Sequence, residues 1–143
     1  EIIAQDITLE LGIPVVAVTY WLEAAERFSK ILMNQSSVLH ACEAETSMML
    51  VLEPELVDCT DLENCRGPLD LNFLKTGFSA YRWRSLSHVT DNGVIGDPTS
   101  ASREKGLQLF EAAAASLSEL IISPETFEAQ NNLRVEKLPN TYK

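Results

Sequence analysis

The amino-acid sequence predicts an α/β protein, and three observations carry that expectation. Helix-like and strand-like signals alternate along the chain; Val15–Trp21 is a continuous β-branched and apolar run suited to a parallel strand covered on both faces; and Ala101–Ile122 has the period of a long core-facing helix. With 143 residues, 45% of them hydrophobic, the chain has enough apolar material for one core.

Residues 2 to 11 place Ile3, Ile7 and Leu11 four apart on one helical face, and Gly12-Ile13-Pro14 then stops the helix, glycine being the residue that best closes a last turn. The strand Val15–Trp21 follows, and Leu22–Met33 reads as a second helix ending at the polar Asn34-Gln35-Ser36-Ser37, whose side chains compete for backbone hydrogen bonds. Met48-Met49-Leu50-Val51-Leu52 reads as a buried helix that must end before Pro54, with the polar segment His40–Ser47 at its entrance. Residues 59 to 76 read as a long irregular connection and Phe78–Trp83 as a short strand. Thr90-Asp91-Asn92-Gly93 reads as a tight turn, and Asp97-Pro98 opens the last helix as its cap and first-turn proline. Leu109, Ala113, Leu117, Leu120 and Ile121 are the expected buried face of that helix, and residues 123–143 are a polar tail. One strong strand and one or two weak ones are too few for a sheet, since a parallel strand needs hydrogen-bonded neighbours on both sides. The expectation is therefore a fold completed by a missing N-terminal half, present as a separate chain or fragment.

Charge excludes several functions. A net charge of -10 offers no basic face to displace counterions from phosphates, so neither nucleic acid nor an anionic membrane is an expected partner. No apolar run approaches the ~20 residues of a bilayer span, which makes a cytoplasmic protein the expectation. Three cysteines, Cys42, Cys59 and Cys65, without CxxC spacing imply neither a disulfide framework nor a structural zinc site.

The candidate chemistry lies at the helix entrance. Glu43 and Glu45 stand beside His40, one of two histidines, in a stretch from Ile31 to Cys65 that contains no Lys or Arg. A carboxylate next to an imidazole fixes its tautomer and raises its basicity. His88, between Ser87 and Val89, has no metal-ligand spacing and reads as a surface or interface histidine.

His40-Ala-Cys-Glu-Ala-Glu-Thr-Ser-Met-Met-Leu, followed by Pro54-Glu55-Leu56-Val57, resembles the creatininase family's His, small-residue, Glu-Thr-Ser segment and its Pro-(Asp/Glu)-Leu-Val continuation. Three further stretches resemble the family in the same order: Tyr20-Trp21, Gly93-Val-Ile-Gly-Asp-Pro98, and Ala101-Ser-Arg-Glu-Lys-Gly106. The resemblance covers residues 1 to 122 and implies the C-terminal half of a three-layer α/β fold with a mostly parallel central sheet, in ring-shaped or hexameric assemblies. It implies hydrolysis of a carbon–nitrogen bond of an amide, commonly a cyclic one, with two divalent ions (zinc, or manganese) whose ligands fall on the N-terminal half and none in this chain. It makes His40 the acid/base or substrate-orienting group, with Glu45 its supporting carboxylate, and it puts Tyr20, Trp21, Ser36 and Cys42 at the substrate pocket.

Departures narrow the substrate. Creatinine-cleaving members carry a second tryptophan four positions before the pocket histidine, and here that position is Ser36, which points away from creatinine itself. Cys42 stands where the family has a small residue and reads either as a pocket thiol or as a small buried hydrophobe; Trp21 reads either as core or as pocket wall. A formamide deformylase and a non-catalytic binding or regulatory subunit on the same scaffold remain alternatives.

Overall fold

A computed structural model describes residues 2–69 and 84–129. They contain five α-helices: α1 (Ile2–Leu11), α2 (Tyr20–Glu23), α3 (Ala25–Ile31), α4 (Glu43–Leu52) and α5 (Arg103–Ile122). Single 3-10 turns occupy Pro54–Leu56, Leu62–Asn64 and Leu86–His88. The described residues group into two compact units, one falling within residues 20–117 and one within residues 1–19 and 118–143.

Among the described residues no segment forms a strand, so the strand expected at Val15–Trp21 is not seen in them. Tyr20 and Trp21 belong to α2, and Val15–Thr19 is irregular, with Val16 and Val18 exposed at 41% and 46%. The physical reason is that a strand exists only as part of a ladder: β-branched residues fit a pleated surface once a neighbour supplies one, and no described segment does so here. The second expected strand, Phe78–Trp83, lies outside the described residues.

In the smaller unit, α1 forms where the spacing of Ile3, Ile7 and Leu11 predicts it, yet buries none of its residues. Gly12 ends it at φ +67°, its N–H donating to the Thr8 carbonyl at 2.9 Å, as a left-handed glycine closes a helix. The last turn of α5 is followed by a turn at Ser123–Thr126, in which the Thr126 hydroxyl donates to the Leu120 carbonyl.

The larger unit holds the core: Ala24, Phe28, Leu32, Cys42, Ala44, Met48, Leu109, Ala112 and Ala113. The helix expected over Leu22–Met33 starts at Tyr20 and is interrupted at Ala24; Phe28 is its fully buried anchor. In α4, Glu43 and Ala44 repeat four residues on as Ser47 and Met48 to make the buried face. Met49 and Leu52, expected to be buried, are exposed at 38% and 59%.

α5 buries Leu109 and Ala113 of its expected face but not the rest. Gly106, Leu109, Ala112, Ala113 and Ser116 are buried, whereas Leu117 and Leu120 are half-buried and Ile121 is exposed. Small residues win because the two helices approach too closely for larger ones: a Cβ on Gly106 would lie 2.0 Å from the Ser47 carbonyl oxygen. The α5 cap is Ser102, whose hydroxyl accepts the Lys105 N–H at 3.2 Å, and its own N–H donates to the Ser47 hydroxyl at 3.1 Å. Asp97 caps an earlier turn instead, accepting the Thr99 N–H at 2.9 Å.

Candidate functional site

Sequence places His40 and two carboxylates together, and the structure separates the two carboxylates. Glu43 turns inward and is fully buried. Its oxygens accept the backbone N–H groups of Met33 (3.1 and 2.9 Å) and Asn34 (3.0 Å) and pair with the Lys105 ammonium. Lys105 also donates to the Ser100 carbonyl at 2.6 Å. One carboxylate thus ties the end of α3, the start of α4 and the first turn of α5, and it is structural.

Glu45 turns the other way. Its Oε2 lies 3.9 Å from His40 Nδ1 and accepts the Ala41 N–H at 2.5 Å. The His40 side chain is 56% exposed and that of Glu45 39%, so both reach solvent. Ala41, at φ +50°, is the non-glycine residue with positive φ among the described residues, a conformation that costs about 1–2 kcal/mol for an L-residue. Backbone strain next to a candidate catalytic side chain is a recurring mark of functional sites.

The segment is buttressed from below by the turn 93–98. Asn92 shapes that turn, its Oδ1 accepting the Thr90 hydroxyl at 2.8 Å and the Val94 N–H at 3.0 Å. Val94 and Ile95 are buried, and the Ile95 N–H donates to the His40 carbonyl at 2.8 Å. Gly96, at φ +122°, passes so close to Cys42 that an added Cβ would stand 2.7 Å from the Cys42 Cβ. The Asp97 N–H donates to Gln35 Oε1 at 3.1 Å. Burial pushes the Asp97 carboxyl up, but the Thr99 hydroxyl and N–H, Arg66 at 3.4 Å and Asn34 more than offset it and leave it below its ordinary value. Two sequence motifs far apart in the chain therefore meet, one presenting the histidine and the other holding its backbone.

Of the remaining site candidates, Tyr20 packs edge-on against Trp21, with ring centroids 5.1 Å apart, and its hydroxyl lies 3.8 Å from Met48 Sδ. Burial, followed by the negative charge of Glu45, raises the Tyr20 hydroxyl above its ordinary value of 10.0. Trp21 is 37% exposed, and Ser36 is exposed on the loop ahead of His40. Cys42 has no exposed surface, and its sulfur accepts the Leu39 N–H at 3.3 Å, so it packs as a buried hydrophobe and its thiol does not face a pocket. His88 is exposed, its Nδ1 in hydrogen-bond contact with the Ser85 hydroxyl. Sequence reasoning missed Lys105, Gln35 and Ile95. Lys105 was in principle legible, because it lies in a motif and a buried carboxylate needs a cation.

A groove of about 660 Å³ opens beside the site, lined by Tyr20, Glu45, Met48, Met49, Leu52, Phe110, Ala113, Ala114 and Leu117. Apart from Glu45 and the Tyr20 hydroxyl its walls are apolar. Among the described residues no three of His, Cys, Asp and Glu gather closely enough to hold a metal ion.

Against known families, the model for creatininase (creatinine amidohydrolase) matches residues 1–121. The chain belongs to the creatininase family. The match covers the motifs at His40, at Gly93 and at the start of α5. A search of curated proteins finds no match. Among solved structures, a crystal structure of a "Putative creatinine amidohydrolase" from Bacteroides fragilis aligns with TM-score 0.64 at 23% identity, covering 93% of this chain and 50% of that one. This chain thus shares the creatininase-like fold and spans about half the length of that structure. No helix among the described residues is long and apolar enough to cross a membrane.

Proposed function

We propose that the chain is one half of a metal-dependent amidohydrolase that cleaves a carbon–nitrogen bond of an amide, cyclic amides foremost, and that it contributes the proton-handling side of the site. The observation that carries this reading is the exposed His40 imidazole, held on a fixed backbone beside the Glu45 carboxylate. Amide cleavage needs a proton delivered to the departing nitrogen, and a positioned imidazole can hold and release one near neutral pH. Tyr20 and Trp21, packed edge to face, are the aromatic pair that this reading assigns to the substrate pocket.

Divalent ions, zinc or manganese, polarise the amide carbonyl in such chemistry. The described residues do not fit a metal cage, since His40 and Glu45 have no third partner, and we assign the ligands to a complementary half of the fold. Support for that half comes from the length this chain spans of its structural neighbour and from the exposed apolar residues Val16 and Val18. In the completed fold Val15–Thr19 gains the ladder of a parallel sheet, and the assembly is oligomeric, of hexamer type. The test is His40→Ala in the enzyme assembled with its complementary half. Turnover is expected to fall about a hundredfold or more with bound metal unchanged; normal turnover refutes the role.

A further inference from the structure

The peptide unit between His40 and Ala41 is bound on both of its polar edges. Its carbonyl accepts the Ile95 N–H at 2.8 Å, and its N–H donates to Glu45 Oε2 at 2.5 Å. The Thr46 hydroxyl reaches the next carbonyl, that of Ala41, at 3.4 Å. The same Glu45 oxygen stands 3.9 Å from His40 Nδ1, beyond the 2.7–3.2 Å range of a hydrogen bond. Ala41 meanwhile keeps a positive φ of +50°, which a non-glycine residue holds only when its surroundings over-determine it.

We infer that Glu45 is a positioning residue that acts on His40 through the backbone: its carboxylate clamps the Ala41 N–H and so holds the left-handed turn that aims the imidazole. A carboxylate is a strong acceptor for a backbone N–H, and Glu45 sits in the first turn of α4, where a negative charge also complements the helix dipole. The opposite edge of the same peptide is held by Ile95, from a turn distant in sequence, so the plane is fixed between two elements. Two contacts at opposite edges restrain the peptide between them, and the His40 Cα, which lies in that plane, is restrained with it. Tuning of the ring by direct hydrogen bonding is secondary in this geometry, because at 3.9 Å the oxygen is out of hydrogen-bond reach of Nδ1.

This inference rests on the proposed role of His40, but its test does not depend on turnover. Amide exchange at Ala41 and the His40 ring titration are followed by NMR in Glu45→Ala, Glu45→Gln, and Glu45→Ala combined with Ala41→Gly. Losing the clamp in Glu45→Ala is expected to speed Ala41 exchange about tenfold. Glu45→Gln, whose side-chain carbonyl still accepts the N–H, should keep wild-type exchange despite losing the charge. Ala41→Gly in the Glu45→Ala background should restore the wild-type His40 ring shifts, because glycine takes positive φ without a clamp. Unchanged exchange in Glu45→Ala, or Glu45→Gln behaving like Glu45→Ala, overturns the inference in favour of a purely electrostatic role. Normal turnover of His40→Ala would sink the functional reading and leave the exchange results standing, so the two failures are distinguishable.

Discussion

Replacing Lys105 with methionine removes the cation paired, among the described residues, with the buried Glu43 carboxylate while keeping the length of the side chain. Glu43 would retain its bonds from the Met33 and Asn34 N–H groups, but its charge would stand uncompensated in a site with no exposed surface. Breaking a buried pair from one side costs about 3–5 kcal/mol. The Lys105 side chain is 16% exposed, so water reaches that edge of the site, and the two N–H donors remain. Both favour the lower end, about 3 kcal/mol. With a urea slope of about 2 kcal/mol/M, typical of a small domain, the unfolding midpoint should drop by about 1.5 M. Adding Glu43→Gln removes the stranded charge and keeps an acceptor for the two N–H groups. The double variant should therefore be more stable than Lys105→Met alone, with a coupling of about 2 kcal/mol between the sites. Urea unfolding followed by far-ultraviolet circular dichroism measures all four members of the cycle. Lys105→Met within about 0.5 kcal/mol of wild type, or a double variant weaker than the single, would refute the view of Glu43 as a charged tie between helices.

Gly106→Ala forces a methyl against the Ser47 carbonyl and should destabilise by about 2 kcal/mol or more in the same assay, the backbone oxygen being unable to move aside as a side chain could. Leu109→Ala empties a fully buried position and should cost about 2–5 kcal/mol without changing the urea slope. The Asp97 carboxyl lies below its ordinary 3.8 in the folded state, so its contribution is fully present above that value and is lost as pH falls from there through the lower folded-state value. Asp97→Asn should accordingly flatten the stability profile below about pH 4, and a profile as steep as wild type would exclude this source.

Local signals were legible where one element settles its own conformation. α1 and its Gly12 stop, the end of α4 before Pro54, and the turn at Asn92-Gly93 are all set by residues within a turn of one another. Burial was less legible because it depends on what lies opposite. On α5 the expected face held at Leu109 and Ala113 but favoured large residues at 117, 120 and 121, while the close approach at Gly106 selects small ones at 112 and 116. Val15–Thr19 carries strand propensity, but propensity cannot supply a neighbouring strand. At the site, sequence brought His40 and Glu45 together correctly as neighbours. It could not tell that Glu43, two residues earlier, points into the interior: a helix turns about 100° per residue, so two residues apart means opposite sides. Nor could it show that the Gly93–Pro98 motif holds the backbone of the histidine, since that contact spans more than fifty residues of chain.

The hydrogen bonds that orient the His40–Ala41 peptide all come from residues within 40 to 95 of this same chain. Both polar edges of the peptide that carries the imidazole are thus held from within one stretch of chain. Positions outside these contacts, such as the exposed Ser36, can diverge without touching the hydrogen bonds that hold the His40–Ala41 peptide.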